Sequence, residues 1–435
     1  LAPFNAIGHH KGKKMMKRLI ILLLCFFIHI ELEPTSKKAH LRKYETVAKQ
    51  IDAIIDNNPH LHVGCEIYSL TNDQCVYCHN EQRLFTPASN TKLFSALLAL
   101  ETLGPDYKFE TVLATDGIQD GATLTGNVYL KSSGDPSLKS RDLENLIKML
   151  HKKGITAIVG NVCIDHDDFD QDGFALGSFL DNLGASWNSP INSFMVDRKP
   201  LGLNPTNTVT FMNNDRMQHI YFDGISFLKT MGRTHGIELK GNIIFGKMPK
   251  NCTKIGSHFS QNNAQLISYM LKESDNVYAD CIFKRIGANQ YGCPGTWAKG
   301  TEALTAFLAK IESIEGDFVF KDGSGISRYN LVSPHQIIAL LDWIYTKPYF
   351  SSYKESLAIV GVDGTLKDRL VELTSQVKAK TGTLIGVSSL SGYIETEDDL
   401  FAFAILVNGY VSQSIYNPPC KTDIENEICK IIAAA

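Results

Sequence analysis

Hydrophobic positions divide the chain into stretches of two different periods. Between His40 and Asn57, Val47, Ile51 and Ile54 recur at helical spacing and predict an amphipathic helix. Cys65 to Leu70 and Gln74 to His79 alternate around Thr71-Asn72-Asp73, which predicts two strands and their turn. Pro87 then pre-sets a helix entry, and Leu93, Ala96, Leu97 and Leu100, at i, i+3, i+4 and i+7, predict a buried helix from about Ser89. From Tyr107 to Phe259 the texture changes to short alternating runs separated by Gly, Asp and Asn. Strands are predicted over 123–132, 157–165, 208–212 and 236–245, with one helix over 140–153. Helical spacing resumes over 263–286 as two helices, Leu266, Ile267, Met270 and Leu271 in one and Val277, Ala279 and Ile282 in the other, with Ser274 to Asn276 at their junction. Further helices are predicted over 334–344 and 367–374. Antiparallel strands follow over 377–394 and 401–407, on either side of an acidic turn. Ile424, Ile428 and Ile431 mark a last helix, expected beside the one near residue 50 on one face of the sheet. No repeat period stands out.

The change of texture sets the domain organisation. A chain of 435 residues exceeds what one growing core accommodates. The economical arrangement is a β-rich unit, 107–259, inserted into a larger α+β domain built from 40–106 and 260–432. A hydrophobic content of 44% with 20% charged residues is that of an ordinary globular protein. The net charge of -3 provides no basic field for a nucleic-acid backbone, so no nucleic-acid partner is expected. The dense basic run, Lys11 to Arg18, instead precedes an apolar block from Leu19 to Ile28, the pattern of a secretory signal peptide and short for a membrane span. Residues 1–33 therefore read as an extension before Met15 or Met16 followed by a signal, and the protein as exported to the periplasm or cell envelope. An uncleaved signal would keep it peripheral to the membrane.

Other polar clusters point to no metal or cofactor. Cys75-Val-Tyr-Cys78 lies in a strand pattern with no second pair and no suitably spaced His pair, and reads as half-buried thiols. Asp168-x-Asp170-x-Asp172-Gly173 imitates the start of a calcium loop, but Phe179 stands where its bidentate Glu belongs, leaving a solvated turn. His166 reads as a surface residue and Trp187 as a packed aromatic.

Three short motifs carry chemistry. Ser89 and Lys92 share one turn and one face of the predicted helix. A serine hydroxyl needs a base to take its proton, and a desolvated lysine has its pKa lowered enough to serve. The helix N-terminus adds positive potential where an oxyanion would form. Ser-x-x-Lys also occurs at Ser226, Ser351 and Ser375, so context decides. Ser274-x-Asn276 sits at a helix junction, unlike Ser186-x-Asn188 and Ser260-x-Asn262. Lys380-Thr381-Gly382-Thr383 contains the only Lys-Thr-Gly in the chain. The three occur in the order of an acyl-serine enzyme.

With these motifs, the stretches Pro87-Ala-Ser-Asn-Thr-Lys-Leu, Ser133-Gly-Asp-Pro-Ser-Leu, Met270-Leu-Lys-Glu-Ser-Asp-Asn-Val-Tyr-Ala-Asp, Asp322-Gly-Ser-Gly-Ile-Ser-Arg and Ala379-Lys-Thr-Gly-Thr-Leu-Ile-Gly-Val are similar to segments of one family. Over residues 45 to 430 the chain resembles the D-alanyl-D-alanine carboxypeptidase/endopeptidases of peptidase family S13, the low-molecular-mass class C penicillin-binding proteins. The resemblance implies a serine β-lactamase/penicillin-binding-protein fold: an antiparallel sheet flanked by helices plus a helical subdomain, with the inserted unit. It implies Ser89 as nucleophile, Lys92 as base, Ser274 and Asn276 as proton relay and amide holder, and Lys380, Thr381, Gly382 and Thr383 at the substrate carboxylate. Peptidoglycan stem peptides would be the substrate and β-lactam antibiotics the inhibitors. A serine β-lactamase using Glu238 and Asn242, and a non-catalytic peptidoglycan-binding scaffold, are the alternatives.

Overall fold

The computed structural model describes residues 42–178, 185, 187–203, 212–213, 216–217, 221–409 and 422–435. The signal-like block, Phe179, Ser186 and most of 208–212 lie outside them.

The largest sheet has six antiparallel strands in the order Ala358–Ile359, Val377–Leu384, Val387–Glu395, Leu400–Asn408, His62–Ser69, Gln74–His79. Its central strand shows how the sequence sorts residues to two faces, since successive side chains of a strand point opposite ways. Phe401, Phe403, Ile405 and Val407 pack with Val47, Ile51, Ile55, Ile424, Ile428 and Ile432, from helix 42–56 and from Asp423–Ala433. The two terminal helices thus share a sheet face, as their spacing predicts. Ala402, Ala404 and Leu406 point the other way, and the two small residues leave room for the helix Pro334–Tyr345. On that side lie Asn263–Lys272, Asn276–Tyr291 and Trp297–Leu308 around one central helix, Thr91–Thr102, whose residues from Thr91 to Ala99 are all buried.

Three predicted segments take other forms. The strand expected over 377–394 is a hairpin, Val377–Leu384 and Val387–Glu395, turned at Ile385-Gly386. The helix expected over 367–374 is replaced by short turns, Gly364–Leu366 and Val371–Leu373, because Leu370 adopts φ 53°, outside helical space. Cys75 and Cys78 are joined as a disulfide rather than left as thiols. The cause is a bulge: Tyr68 pairs with Cys75 and Ile67 with Tyr77, so Val76 is extra and both cysteines face the same, solvent side.

The two larger sheets built by residues 110–259 adjoin each other, beside two small ones over 195–223. One has the order Ile243–Phe245, Val162–Asp165, Val128–Ser132, Glu110–Thr115, Thr253–Phe259, and the other Glu238–Leu239, Ala157–Val159, Thr123–Thr125, Ile118–Asp120. Three of the strands predicted as continuous, 123–132, 157–165 and 236–245, are cut in two, at Gly126-Asn127, Gly160-Asn161 and Gly241-Asn242, and pass from one sheet to the other there. The corners stack. A Cβ on Gly160 would lie 2.1 Å from the Gly126 carbonyl and one on Gly241 2.1 Å from that of Gly160. Side chains run through the stack as a ladder, each N–H bonding the carbonyl or carboxylate oxygen of the corner before it: Asn127 to Asp116 (2.7 Å), Asn161 to Asn127 (2.9 Å) and Asn242 to Asn161 (2.9 Å). A repeat is therefore present where the linear pattern shows none. The later strands pair in parallel, which needs crossover helices. Ser140–Lys152 is the predicted one, and Gly224–Thr234 is a second that the sequence reading missed.

The acidic stretch near Asp168 is neither a calcium loop nor a solvated turn. Asp168 is buried and paired with Lys131 (2.9 Å) and Arg285 (2.8 Å), and Asp170 with Lys284 (2.7 Å). The acids fasten this stretch to the helix Asn276–Tyr291, and among the described residues no group of acids, His or Cys is arranged to hold a metal. His166 is half-buried against Phe245, with ring centroids 4.3 Å apart, rather than a free surface residue.

Candidate active site

Ser89 stands in a single 3-10 turn, Ala88–Asn90, that runs into the central helix. Ala88 before it has φ 48°, a left-handed conformation unusual for a residue with a Cβ. Two glycines permit the tight packing around this turn. A Cβ on Gly325 would lie 1.8 Å from the Ala88 carbonyl, and one on Gly382 would lie 3.0 Å from the Ser89 nitrogen and 2.8 Å from the Pro87 carbonyl. The Ser389 hydroxyl donates to the Pro87 carbonyl (2.7 Å) and accepts from Asn90 Nδ2, which ties the turn to an interior strand of the six-stranded sheet, Val387–Glu395.

One turn along, Lys92 is fully buried and its Nζ has three partners: Ser89 Oγ at 2.7 Å, Asn276 Oδ1 at 2.6 Å and the Ser324 carbonyl at 2.6 Å. None carries a charge. Burial pulls the Lys92 ammonium down to about 8, against the restoring influence of Asp280, Asp322 and Asp275. Asn276 is oriented by its own Nδ2, which donates to the Trp187 carbonyl (2.8 Å).

Ser274, at φ 56°, lies between the two helices of the junction, and its Oγ accepts from Lys380 Nζ at 2.8 Å. Lys380 is also fully buried and donates to the Thr381 carbonyl (2.8 Å). Burial pushes its ammonium well below the usual lysine range, and the nearby Lys92 charge adds to the effect. Ser89, Ser274, Asn276, Thr381 and Thr383 open into a single cleft of about 440 Å³ with Trp187, Thr365 and apolar Ile326, Leu384 and Ile385. The structure thus brings the three sequence motifs together. Of the other Ser-x-x-Lys pairs, Ser226 lies on the second crossover helix and Ser351 and Ser375 lie outside the cleft.

A family model described as the D-Ala-D-Ala carboxypeptidase 3 (S13) family matches residues 47–208 and 205–419. The chain belongs to the S13 family. It is 27% identical over 409 residues to the D-alanyl-D-alanine carboxypeptidase DacB of Haemophilus influenzae, covering 80% of this chain and 85% of that one. The crystal structure of penicillin binding protein 4 (dacB) from H. influenzae superposes with a TM-score of 0.77 at 26% identity, covering 87% and 98% of the two chains. A structure of that protein complexed with a β-lactam superposes at 0.73 and 24% identity, with the same coverage.

In this S13 protein three features of the cleft escape the motif reading. Trp187 is 41% exposed and lines the cleft instead of packing in a core. Thr365 accepts a hydrogen bond from the Thr381 hydroxyl at 2.8 Å, and its Gly-Thr-Leu turn had read as a helix approach. Asp322 stands fully buried in the loop that presents the Ser324 carbonyl, and its signal in the sequence was the stretch Asp322-Gly-Ser-Gly-Ile-Ser-Arg, to which no role was attached. Glu238 lies on a strand of the smaller inserted sheet, and among the described residues that line the cleft none is acidic.

Proposed function

We propose that this S13 enzyme opens the D-Ala-D-Ala bond of peptidoglycan stem peptides through an acyl-serine on Ser89. The observation that carries the reading is the set of partners around Lys92. The Asn276 amide oxygen and the Ser324 carbonyl can only accept, so they take both N–H groups of the neutral amine. The lone pair is left facing Ser89 Oγ at 2.7 Å, within the reach required of a general base.

Ser89 Oγ attacks the carbonyl carbon between the two D-alanines as its proton passes to Lys92. The oxyanion is stabilised by the backbone N–H groups of Ser89 and Thr383, whose strand passes against the Ser89 turn. The C–N bond breaks, Ser274 relays the proton to the leaving amine, and D-alanine departs. Water attacks the ester with Lys92 again as base, releasing the shortened peptide. Asn276 holds the substrate amide. Lys380, Thr381 and Thr383 hold the terminal carboxylate beside Gly382, and that anion favours the charged form of Lys380. If the leaving amine belongs to a cross-link, the same steps give a DD-endopeptidase. β-Lactams acylate Ser89, and the absence of an acidic lining residue supports slow release rather than the lactamase reading.

The substrate lies outside the cytoplasm, and the basic, apolar start of the chain supports export to the periplasm or cell envelope. The unit over 107–259 is inserted between the first motif and the second. Incubation of wild type and Ser89→Ala with a fluorescent penicillin and with a D-Ala-D-Ala peptide tests the assignment. Durable labelling and D-alanine release, both reduced on the order of 10⁴-fold or more in the variant, are expected. Rapid loss of label would indicate a lactamase, and a wild type inert in both assays a scaffold.

A further inference from the structure

Two buried carboxyls that belong to none of the three motifs stand beneath Lys92. Asp322 is fully buried, and its Oδ1 accepts from the Gly325 amide (2.8 Å) and Asn330 Nδ2 (2.6 Å) while Oδ2 accepts from the Ser327 amide (2.6 Å). Asp280 lies one turn after Asn276 on the helix Asn276–Tyr291, hence on the same face, and accepts from the Gly323 amide (3.0 Å) and the Ser324 hydroxyl. From the nucleophile helix the Ser95 hydroxyl donates to the Gly323 carbonyl (2.7 Å). The loop from Gly323 to Ser327 is therefore gripped from the central helix, the neighbouring helix and its own carboxylate. The Ser324 carbonyl, presented by this loop, accepts from Lys92 Nζ.

We infer that Asp322 and Asp280 are positioning residues for acylation: by fixing the loop Gly323 to Ser327 they hold the Ser324 carbonyl on one N–H of Lys92, and so aim the amine at Ser89. The inference rests on the reading of Lys92 as the base. Neither carboxyl makes an ion pair with Lys92 among the described residues, and both act on it by geometry and through space. The titratable groups facing Lys92 are Asp275 and Asp280 from the helix side, Asp322 from the loop and Lys380 from the strand. Asp275 has its own partner in Arg198 at 2.8 Å. Burial and the neighbouring Asp322 push the Asp280 carboxyl well above the usual carboxylate range, so the charge at stake is that of Asp322. Deleting it makes the ammonium form of Lys92 less favourable, and the acid limb of acylation must move to lower pH.

The test is the rate of acylation by a fluorescent penicillin, followed as a function of pH, and the steady-state cleavage of a D-Ala-D-Ala peptide, using the full chain. In Asp322→Asn an amide N–H replaces an acceptor opposite the Ser327 N–H, which displaces the loop. Acylation is expected to slow about 100-fold, as for a misplaced reacting group, with KM changed by less than about threefold. Asp280→Asn keeps an acceptor for Gly323 and is expected to slow acylation about tenfold. In Asp322→Asn the acid limb lies below that of wild type. A folded variant with the wild-type rate overturns the inference, and so does a slower Asp322→Asn with an unmoved limb, which is what general loosening would give. If Asp322→Asn does not fold, the acylation rate of Asp280→Asn at unchanged KM decides. Lys92→Met acylating like wild type would instead sink the base reading itself, so the two failures are distinguishable.

Discussion

Two lysines of this protein, Lys92 and Lys284, are both completely buried, yet their surroundings differ in kind. Lys284 reaches Asp170 at 2.7 Å and the Asp172 carbonyl at 2.6 Å, with its Nζ 4.4 Å from the centre of the Trp297 ring. A carboxylate and an aromatic face offset the cost of removing an ammonium from water, and the pair fastens two parts of the fold. Lys92 has a hydroxyl, an amide oxygen and a carbonyl within reach, and a second buried lysine nearby. Its charge is held only weakly, and its proton is available for chemistry. Burial alone does not make a lysine reactive. Burial among neutral acceptors does.

The largest effect that bears on this contrast is on rate. Lys92→Met should reduce penicillin acylation by about 10³-fold, within the range expected for losing a general base. Lys284→Met should leave folded protein acylating within about tenfold of wild type, and an equal loss in both would break the comparison. Stability should reverse the order. Lys284→Met is expected to cost about 3 kcal/mol in urea unfolding, the low end of the range for breaking a buried pair because Asp170 keeps some contact with water. Lys92→Met should change it by less than about 1 kcal/mol, relief of charge desolvation offsetting the lost hydrogen bonds. The smallest effect is the pH profile. With the neutral Lys92 amine as the proposed base and its pKa near 8, acylation should rise about tenfold between pH 7 and pH 9, and the limb should be unmoved in Lys284→Met.

The parts of the site legible in the sequence are those whose chemistry dictates residue identity. Ser89, Lys92, Ser274, Asn276 and Lys380 are such positions, and each falls on the local structure its spacing predicts. Trp187 carries no such signature: an aromatic residue in a turn looks the same whether it packs or lines a cleft. Asp168 and Asp170 were misread because their partners Arg285 and Lys284 lie more than a hundred positions away, on a helix whose polar residues look solvent-facing in sequence. In the main sheet the alternation located most of the strands but joined two of them, since 377–394 is a hairpin, and it passed over the short strand Ala358–Ile359. In the unit over 107–259 the same rule recovered strands but joined them, because a Gly-Asn corner interrupts the alternation too briefly to read as a loop. The second crossover helix, Gly224–Thr234, follows from parallel pairing, a relation between segments that no local window contains.

The ladder through Asp116, Asn127, Asn161 and Asn242 has its rungs in space in the order of the chain. Each corner therefore finds its template already in place when the chain is made or threaded through a pore from its N-terminal end. The order of the rungs thus permits vectorial growth, one rung onto the last. The strand Thr253–Phe259 closes it by returning to the outer side of Glu110–Thr115.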